Sequence, residues 1–167
     1  MGVLDADIYG PSVPMMFGVS GKPESSDGKT MEPLENYGVQ LMSIGLLLNN
    51  PNEAMIWRGP MAVQALEQML RSTNWKDLDY LVIDLPPGTG DIQLTLSQKV
   101  PMTGSVIVTT PQDIALLDAR KGIKMFEKVG VPILGLVENM AMHVCTNCGH
   151  VEHIFGQEGG KKLAEEW

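Results

Sequence analysis

The sequence predicts an α/β fold in one layered domain, and three observations carry that prediction. Short apolar runs rich in β-branched residues recur at residues 2–5, 39–44, 79–85, 105–110 and 132–137. Segments with helical apolar spacing stand between several of them, the alternation that builds a mostly parallel sheet covered by helices. Loops rich in glycine, proline and acids follow the strand ends, where open α/β sheets bind their ligands.

Taken in order, residues 2–5 (GVLD) form an apolar run closed by a carboxylate, and residues 39–44 a second strand. Residues 60–72 (PMAVQALEQMLRS) place Met61, Ala65, Leu66, Met69 and Leu70 on one helical face, with Pro60 suited to the first turn. Residues 79–85 (DYLVIDL), 105–110 (SVIVTT) and 132–137 (PILGLV) are nearly continuous apolar runs, the pattern of parallel strands buried on both faces. A helix is predicted over residues 113–129. Residues 20–38 (SGKPESSDGKTMEPLENYG) are predicted as a surface loop. Met1 leads at once into the first strand, and GGKKLAEEW reads as the opening turns of a helix, so the expectation is a single domain over 1–167 truncated at both ends.

Composition narrows the function classes. The 167 residues are about one domain's length. Twelve basic residues against twenty acidic ones give a net charge of −8, which disfavours nonspecific nucleic-acid or anionic-membrane binding. No apolar run reaches the length of a membrane span. The only two cysteines are Cys145 and Cys148, two residues apart rather than spread as a disulfide framework. That usage implies a reducing compartment, cytoplasmic or its organellar equivalent.

Three stretches carry candidate chemistry. In DLDYLVIDLPPGTGD (77–91), Asp84 ends a strand, where a carboxylate can orient Mg²⁺ water beside a nucleotide. The Gly88-Thr89-Gly90 loop after it can bring backbone close to a phosphate. In GVLDADIYGPS (2–12), Asp5 and Asp7 stand two apart at a strand end, on one side of the sheet edge. In VCTNCGH (144–150), Cys145 and Cys148 have the spacing of half a four-ligand metal site. Each has a plainer reading as well: a strand end and turn, two solvated acids, or one knuckle of a zinc ribbon completed by His143, His150 or His153. A CxxC disulfide is a further alternative.

Together with WRGPM (57–61) and VENMAMHVCTNCGH (137–150), these stretches resemble the Mrp/ApbC-type iron–sulfur cluster carrier ATPases, in the MinD/ParA-like branch of P-loop NTPases. The resemblance spans essentially the whole chain and rests on four motifs in order. It implies a three-layer P-loop NTPase-like sheet with helices on both faces and a metal-binding appendage near residues 140–155. It implies ATP hydrolysis with Mg²⁺, Asp84 and Asp7 as catalytic carboxylates, Asp5 in the Mg²⁺ shell, and Gly88, Thr89 and Gly90 as a switch segment. Asn139 falls at the adenine-reading position, where its amide can both donate and accept. Cys145 and Cys148 would hold one [4Fe–4S] cluster jointly with the same pair of a second subunit, so a homodimer, a cluster donor and apo-protein clients are implied partners.

One expected motif is missing. A phosphate loop G-x-x-x-x-G-K-[ST] should precede the first strand, and GVSGKPE (18–24) is a poor imitation, with Met16 at the first glycine position and Pro23 at the hydroxyl position. The expectation is that this chain alone binds ATP weakly or not at all. Two rival functions remain open at this point: a zinc-binding, non-catalytic dimerisation module, and a MinD/ParA-like positioning ATPase. The absence of a basic patch or an amphipathic tail speaks against the second.

Overall fold

The structure, a computed structural model, describes residues 1–48 and 59–167, the side chain of Asp91 excepted. Trp57 and Arg58 of the WRGPM motif lie outside the described residues. The chain divides into two compact units, residues 1–87 with 91–96, and residues 88–90 with 97–167.

The first unit is built on β1 (Gly2–Asp5), α1 (Val13–Met16), β2 (Leu34–Asn36), β3 (Val39–Ser43), α2 (Gly59–Ser72) and β4 (Leu81–Asp84), and it contains the start of α3 (Asp91–Lys99). The strand order is β2-β3-β1-β4; β1 pairs in parallel with both β3 and β4, and β2 joins antiparallel. All four residues of β1 are buried, as a central parallel strand requires. Val3, Val13, Leu41 and Leu46 form a buried cluster against Phe17, Val19, Leu34 and Val39. Leu4 and Met42, one residue along each strand and therefore on the other face, are fully buried too. The predicted helix over 60–72 is α2, but its buried face is rotated from the expected one: it buries Ala62, Val63, Leu66 and Met69, with Met61 exposed and Ala65 and Leu70 half-buried. Its end is stitched to Met31, whose N–H donates to Ser72 and whose carbonyl accepts from Asn74.

The register puts strand ends side by side: Asp5 is opposite Ser43 on one neighbour and opposite Asp84 on the other. Three polar residues thus end three adjacent strands in one row.

The second unit holds β5 (Ser105–Thr109), α4 (Asp113–Lys128), β6 (Ile133–Glu138), β7 (His143–Val144), β8 (Val151–Glu152) and α5 (Gly159–Glu165). β5 and β6 pair in parallel, α4 packs on both, and α5 packs on β6 and α4. Arg120 of α4 grips Glu166 bidentately, with Nη2 to Oε1 at 2.8 Å, which fixes the end of α5. β7 and β8 form a separate antiparallel hairpin.

The α/β class and the mostly parallel pairing are as expected. Two further expectations change. Residues 20–38 are not loop throughout: residues 34–36 are β2, because Leu34 pairs with Leu41 and packs on the core, and the turn falls at Tyr37 and Gly38 with φ of 54° and 72°. The later strands are not buried on both faces. In β5 the burial alternates, leaving Val106 and Val108 exposed, as is Val137 opposite Val108 and Val82 of β4. The helices packed on β5 and β6 leave that face of the valines uncovered among the described residues, so a continuous apolar run does not by itself mean two covered faces. No helix among the described residues is long and apolar enough to cross a membrane.

Candidate functional site

Asp5 is completely buried at the end of β1. Its Oδ1 accepts from the N–H of Asp7 at 3.2 Å, and its Oδ2 accepts from the N–H of Val13 at 3.3 Å and the hydroxyl of Ser43 at 2.9 Å. Burial pushes its pKa above the ordinary carboxylate value; those three hydrogen bonds oppose the rise, and the neighbouring charge of Asp84 adds to it. Both oxygens are therefore engaged, and Asp5 serves as a strut that orders the strand end and the turn after it.

Asp7 and Asp84 are the reachable carboxylates. Asp7 is half-buried, and its Oδ1 accepts from the N–H groups of Tyr9 at 3.3 Å and Gly10 at 3.2 Å, a local turn that fixes the side chain. Asp84 is exposed, and partial desolvation followed by the charge of Asp7 raises its pKa. The first unit thus brings together all three acids singled out in the sequence, at an edge where negative charge is uncomfortable. A divalent cation relieves such an edge, and the hard oxygen donors of Asp7 and Asp84 suit Mg²⁺ with retained waters. Among the described residues no group of three or more His, Cys, Asp or Glu side chains is arranged to hold a metal unaided.

The loop after Asp84 passes from Leu85 to Pro86 and Pro87, neither of which has an N–H. Gln93, on the first turns of α3 and 5% exposed, donates its amide to both carbonyls, at 3.0 Å to Pro86 and 2.7 Å to Pro87. Gly88, Thr89 and Gly90 follow, all exposed, and Gly88 has φ of 92°, a conformation that disfavours any side chain.

Asn139 and the cysteines belong to the second unit. Asn139 follows β6, where its N–H donates to the Thr109 carbonyl at 2.8 Å. Its Oδ1 accepts from the N–H of Met140 at 2.9 Å, which sets the orientation of an exposed carboxamide. Met140 itself takes a left-handed φ of 56°, so the chain turns sharply here toward the hairpin.

Cys145 and Cys148 lie at the hairpin tip, both as free thiols. The Cys145 N–H donates to His150 and the Gly149 N–H to Cys145, each at 2.9 Å, with Gly149 at φ of 73°. The backbone N–H groups of Cys148 and then Asn147, followed by the Cys148 thiol, hydrogen-bond to the Cys145 sulfur and lower its pKa. N–H groups directed at sulfur favour the thiolate, the form that ligates a metal. The histidines do not complete a site with them: the His153 ring bonds to the Ala141 carbonyl at 2.5 Å, and His143 Nε2 lies 4.0 Å from Glu152. Among the described residues the knuckle thus presents two free thiols with no third His, Cys, Asp or Glu arranged to hold a metal with them.

Two contributors escape sequence reading. Ser43 shows only as the last residue of a strand, and Gln93 only as a polar residue near a helix start. A buried hydroxyl and a buried carboxamide become visible as positioning groups once the register and the loop are folded. Neither carries a local sequence signal for its contact, since Gln93 lies six residues beyond Pro87 and Ser43 lies 38 residues from Asp5.

With this geometry in view, comparisons with known proteins place the chain. The family described as "ParA: NUBPL iron-transfer P-loop NTPase" matches residues 1–167. A protein of Salmonella typhimurium named iron-sulfur cluster carrier protein is 64% identical over 100% of this chain and 45% of its own length. The iron-sulfur cluster transfer protein NUBPL of Mus musculus is 53% identical over 99% of this chain and 51% of its own. The chain thus spans about half the length of these curated relatives. Among solved structures, a nucleotide-binding protein from Archaeoglobus fulgidus in complex with ADP is 40% identical, with a TM-score of 0.82, over 99% of this chain and 64% of that one. The chain belongs to the ParA-like NUBPL/Mrp family of iron-transfer P-loop NTPases.

Proposed function

We propose that this chain is the nucleotide-responsive and cluster-bearing part of an ATP-dependent iron–sulfur cluster carrier, which holds a [4Fe–4S] cluster and passes it to apo-proteins. The observation that carries the reading is the exposed knuckle of Cys145 and Cys148, with backbone N–H groups directed at sulfur and no histidine or carboxylate completing the ligand set within the described chain. Two thiolates from each of two copies give the four that such a cluster takes, through a two-fold interface. A cluster held between subunits at an exposed tip is open to attack by a client's thiols. The names of the relatives, carrier and transfer proteins, support the same class.

In this reading ATP is the driving substrate. Asp7 orients the attacking water, Asp84 positions the divalent cation through water, and Asp5, braced by Ser43, belongs to the outer part of the Mg²⁺ shell and holds their geometry. Mg²⁺ would supply charge neutralisation at the transferring phosphoryl group. Gly88, Thr89 and Gly90 respond to the terminal phosphate, and Asn139 reads the adenine edge. The ADP bound by the Archaeoglobus relative supports a nucleotide in this fold. No residue of this chain is assigned the phosphate-loop lysine, so weak ATP binding by residues 1–167 alone is part of the proposal. A cytoplasmic or organellar compartment that keeps thiols reduced suits the free cysteines.

The deciding experiment is native mass spectrometry after anaerobic reconstitution with iron and sulfide. A dimer carrying the mass of one four-iron, four-sulfide cluster is expected. A monomer carrying a single zinc ion and taking up no cluster overturns the carrier assignment.

A further inference from the structure

The cysteine hairpin is too small to orient itself. Its two strands are two residues each, and a lone two-stranded hairpin is marginal in water. Val144 and Val151, its cross-strand apolar pair, are each about half exposed, at 52% and 48%, so little packing holds it. Its attachment to the rest of the unit therefore decides where the thiols sit.

That attachment has three parts. On the incoming side, Asn139 is bonded to Thr109 of β5, and its side chain closes the sharp turn at Met140. On the outgoing side, the Gly156 N–H donates to the His153 carbonyl at 3.2 Å, and Phe155 and Gly156 line a cleft with Pro111 and Leu116. Below the strands, the two stems are joined by a polar cross-tie, the His153 ring nitrogen Nδ1 to the Ala141 carbonyl at 2.5 Å. A carbonyl can only accept, so Nδ1 carries the proton.

We propose that His153 is a positioning residue: it clasps the base of the hairpin and fixes the Cys145–Cys148 pair onto the end of β6. The imidazole is thereby an outer support of the thiol site, not one of its metal ligands. The clasp holds a short, exposed ribbon at one angle, which two copies need if their four sulfurs are to meet around one cluster. The functional part rests on the cluster-carrier reading; the structural part does not.

The test compares the wild-type chain with His153→Phe, which keeps a ring and loses the donor, and His153→Asn, whose amide N–H₂ reaches a position close to that of Nδ1. Amide hydrogen exchange is measured on the metal-free chains. In His153→Phe, exchange at Cys145 and Gly149 is expected to rise about fivefold, the effect of losing one neutral hydrogen bond, with the Ala6 amide of the first unit unchanged and His153→Asn restored. After anaerobic reconstitution, cluster release to a chelator is expected to accelerate by a similar factor in His153→Phe alone. Unchanged hairpin exchange overturns the clasp. Faster exchange with identical release rates overturns the positioning role. Faster exchange in a chain whose wild type takes up no cluster upholds the clasp and removes the carrier reading instead.

Discussion

The carboxylate edge and the cysteine hairpin are built on opposite principles. Asp5 sits on a central strand with no exposure, braced by Ser43, Val13 and Asp7, and flanked in register by two other strand ends. Cys145 and Cys148 sit in the turn between two strands of two residues each, on a segment where Met140, Met142 and Ile154 are exposed. In the proposed function the first site orients water and a cation, and its setting in the sheet, where packing makes geometry rigid, suits that role. In the proposed function the second site surrenders its cargo, and its exposure at a hairpin tip suits that role. The difference teaches that the two halves of the proposed function can be broken separately.

The largest expected effect is on the hairpin. Cys145→Ser or Cys148→Ser removes one of two sulfurs per chain and leaves two across a pair, too few for a four-iron cluster. Iron and sulfide content after reconstitution should fall to background, while the urea midpoint stays within error because both thiols lie outside the core. A coupled loss of stability would break the comparison, since it would make the hairpin part of the folding core.

The converse change comes next. Asp5→Ala strips acceptors from the Ser43 hydroxyl and the Val13 and Asp7 N–H groups at a fully buried position. The expected loss is about 2–4 kcal/mol, read as a urea midpoint shift at constant slope. In solutions where the variant stays folded, cluster uptake by the second unit's cysteines should persist. Asp5→Asn keeps one carbonyl acceptor and should lose less.

Gln93→Leu is intermediate. It preserves volume roughly and leaves the Pro86 and Pro87 carbonyls without their side-chain donor. About 1–2 kcal/mol is expected, together with faster limited proteolysis at residues 88–90, because the loop loses its anchor. Unchanged proteolysis would show that the loop is held by something other than this amide.

How much of this was legible in the sequence follows the same division. The strands and α2 and α4 announced themselves through apolar spacing, and Asp5, Asp7 and Asp84 through their place at strand ends. β2 was hidden because Leu34 is one apolar residue among glycines, serines and charges, and its strand exists only through pairing with Leu41. α3 was hidden because DIQLTLSQK has weak helical amphipathicity, with Leu96 its one fully buried apolar side chain. The bracing by Ser43 and Gln93 is tertiary, created by register and by a loop that folds back. His153 was visible as a histidine near two cysteines, and local spacing drew it toward a zinc site. Only the fold shows its ring turned to Ala141.

The smallest expected effect tests whether the carboxylate edge is electrostatically strained. The pKa of Asp84 is raised above its ordinary 3.8 by desolvation and by Asp7. In the folded chain the group thus keeps its proton to higher pH than in the unfolded chain. Its contribution to stability is complete below pH 3.8 and is lost as pH rises through the folded pKa, where the fold must carry the charge. Asp84→Asn removes that loss. Its melting temperature should match wild type near pH 3.5 and exceed it by about 1–3 °C at pH 7, a small gain because the group is exposed and solvent screens it. An offset that is flat with pH would mean that desolvation and Asp7 together do not raise the Asp84 pKa in the folded chain. A growing offset would show that this edge gives up stability at neutral pH, as expected of carboxylates arranged for a cation.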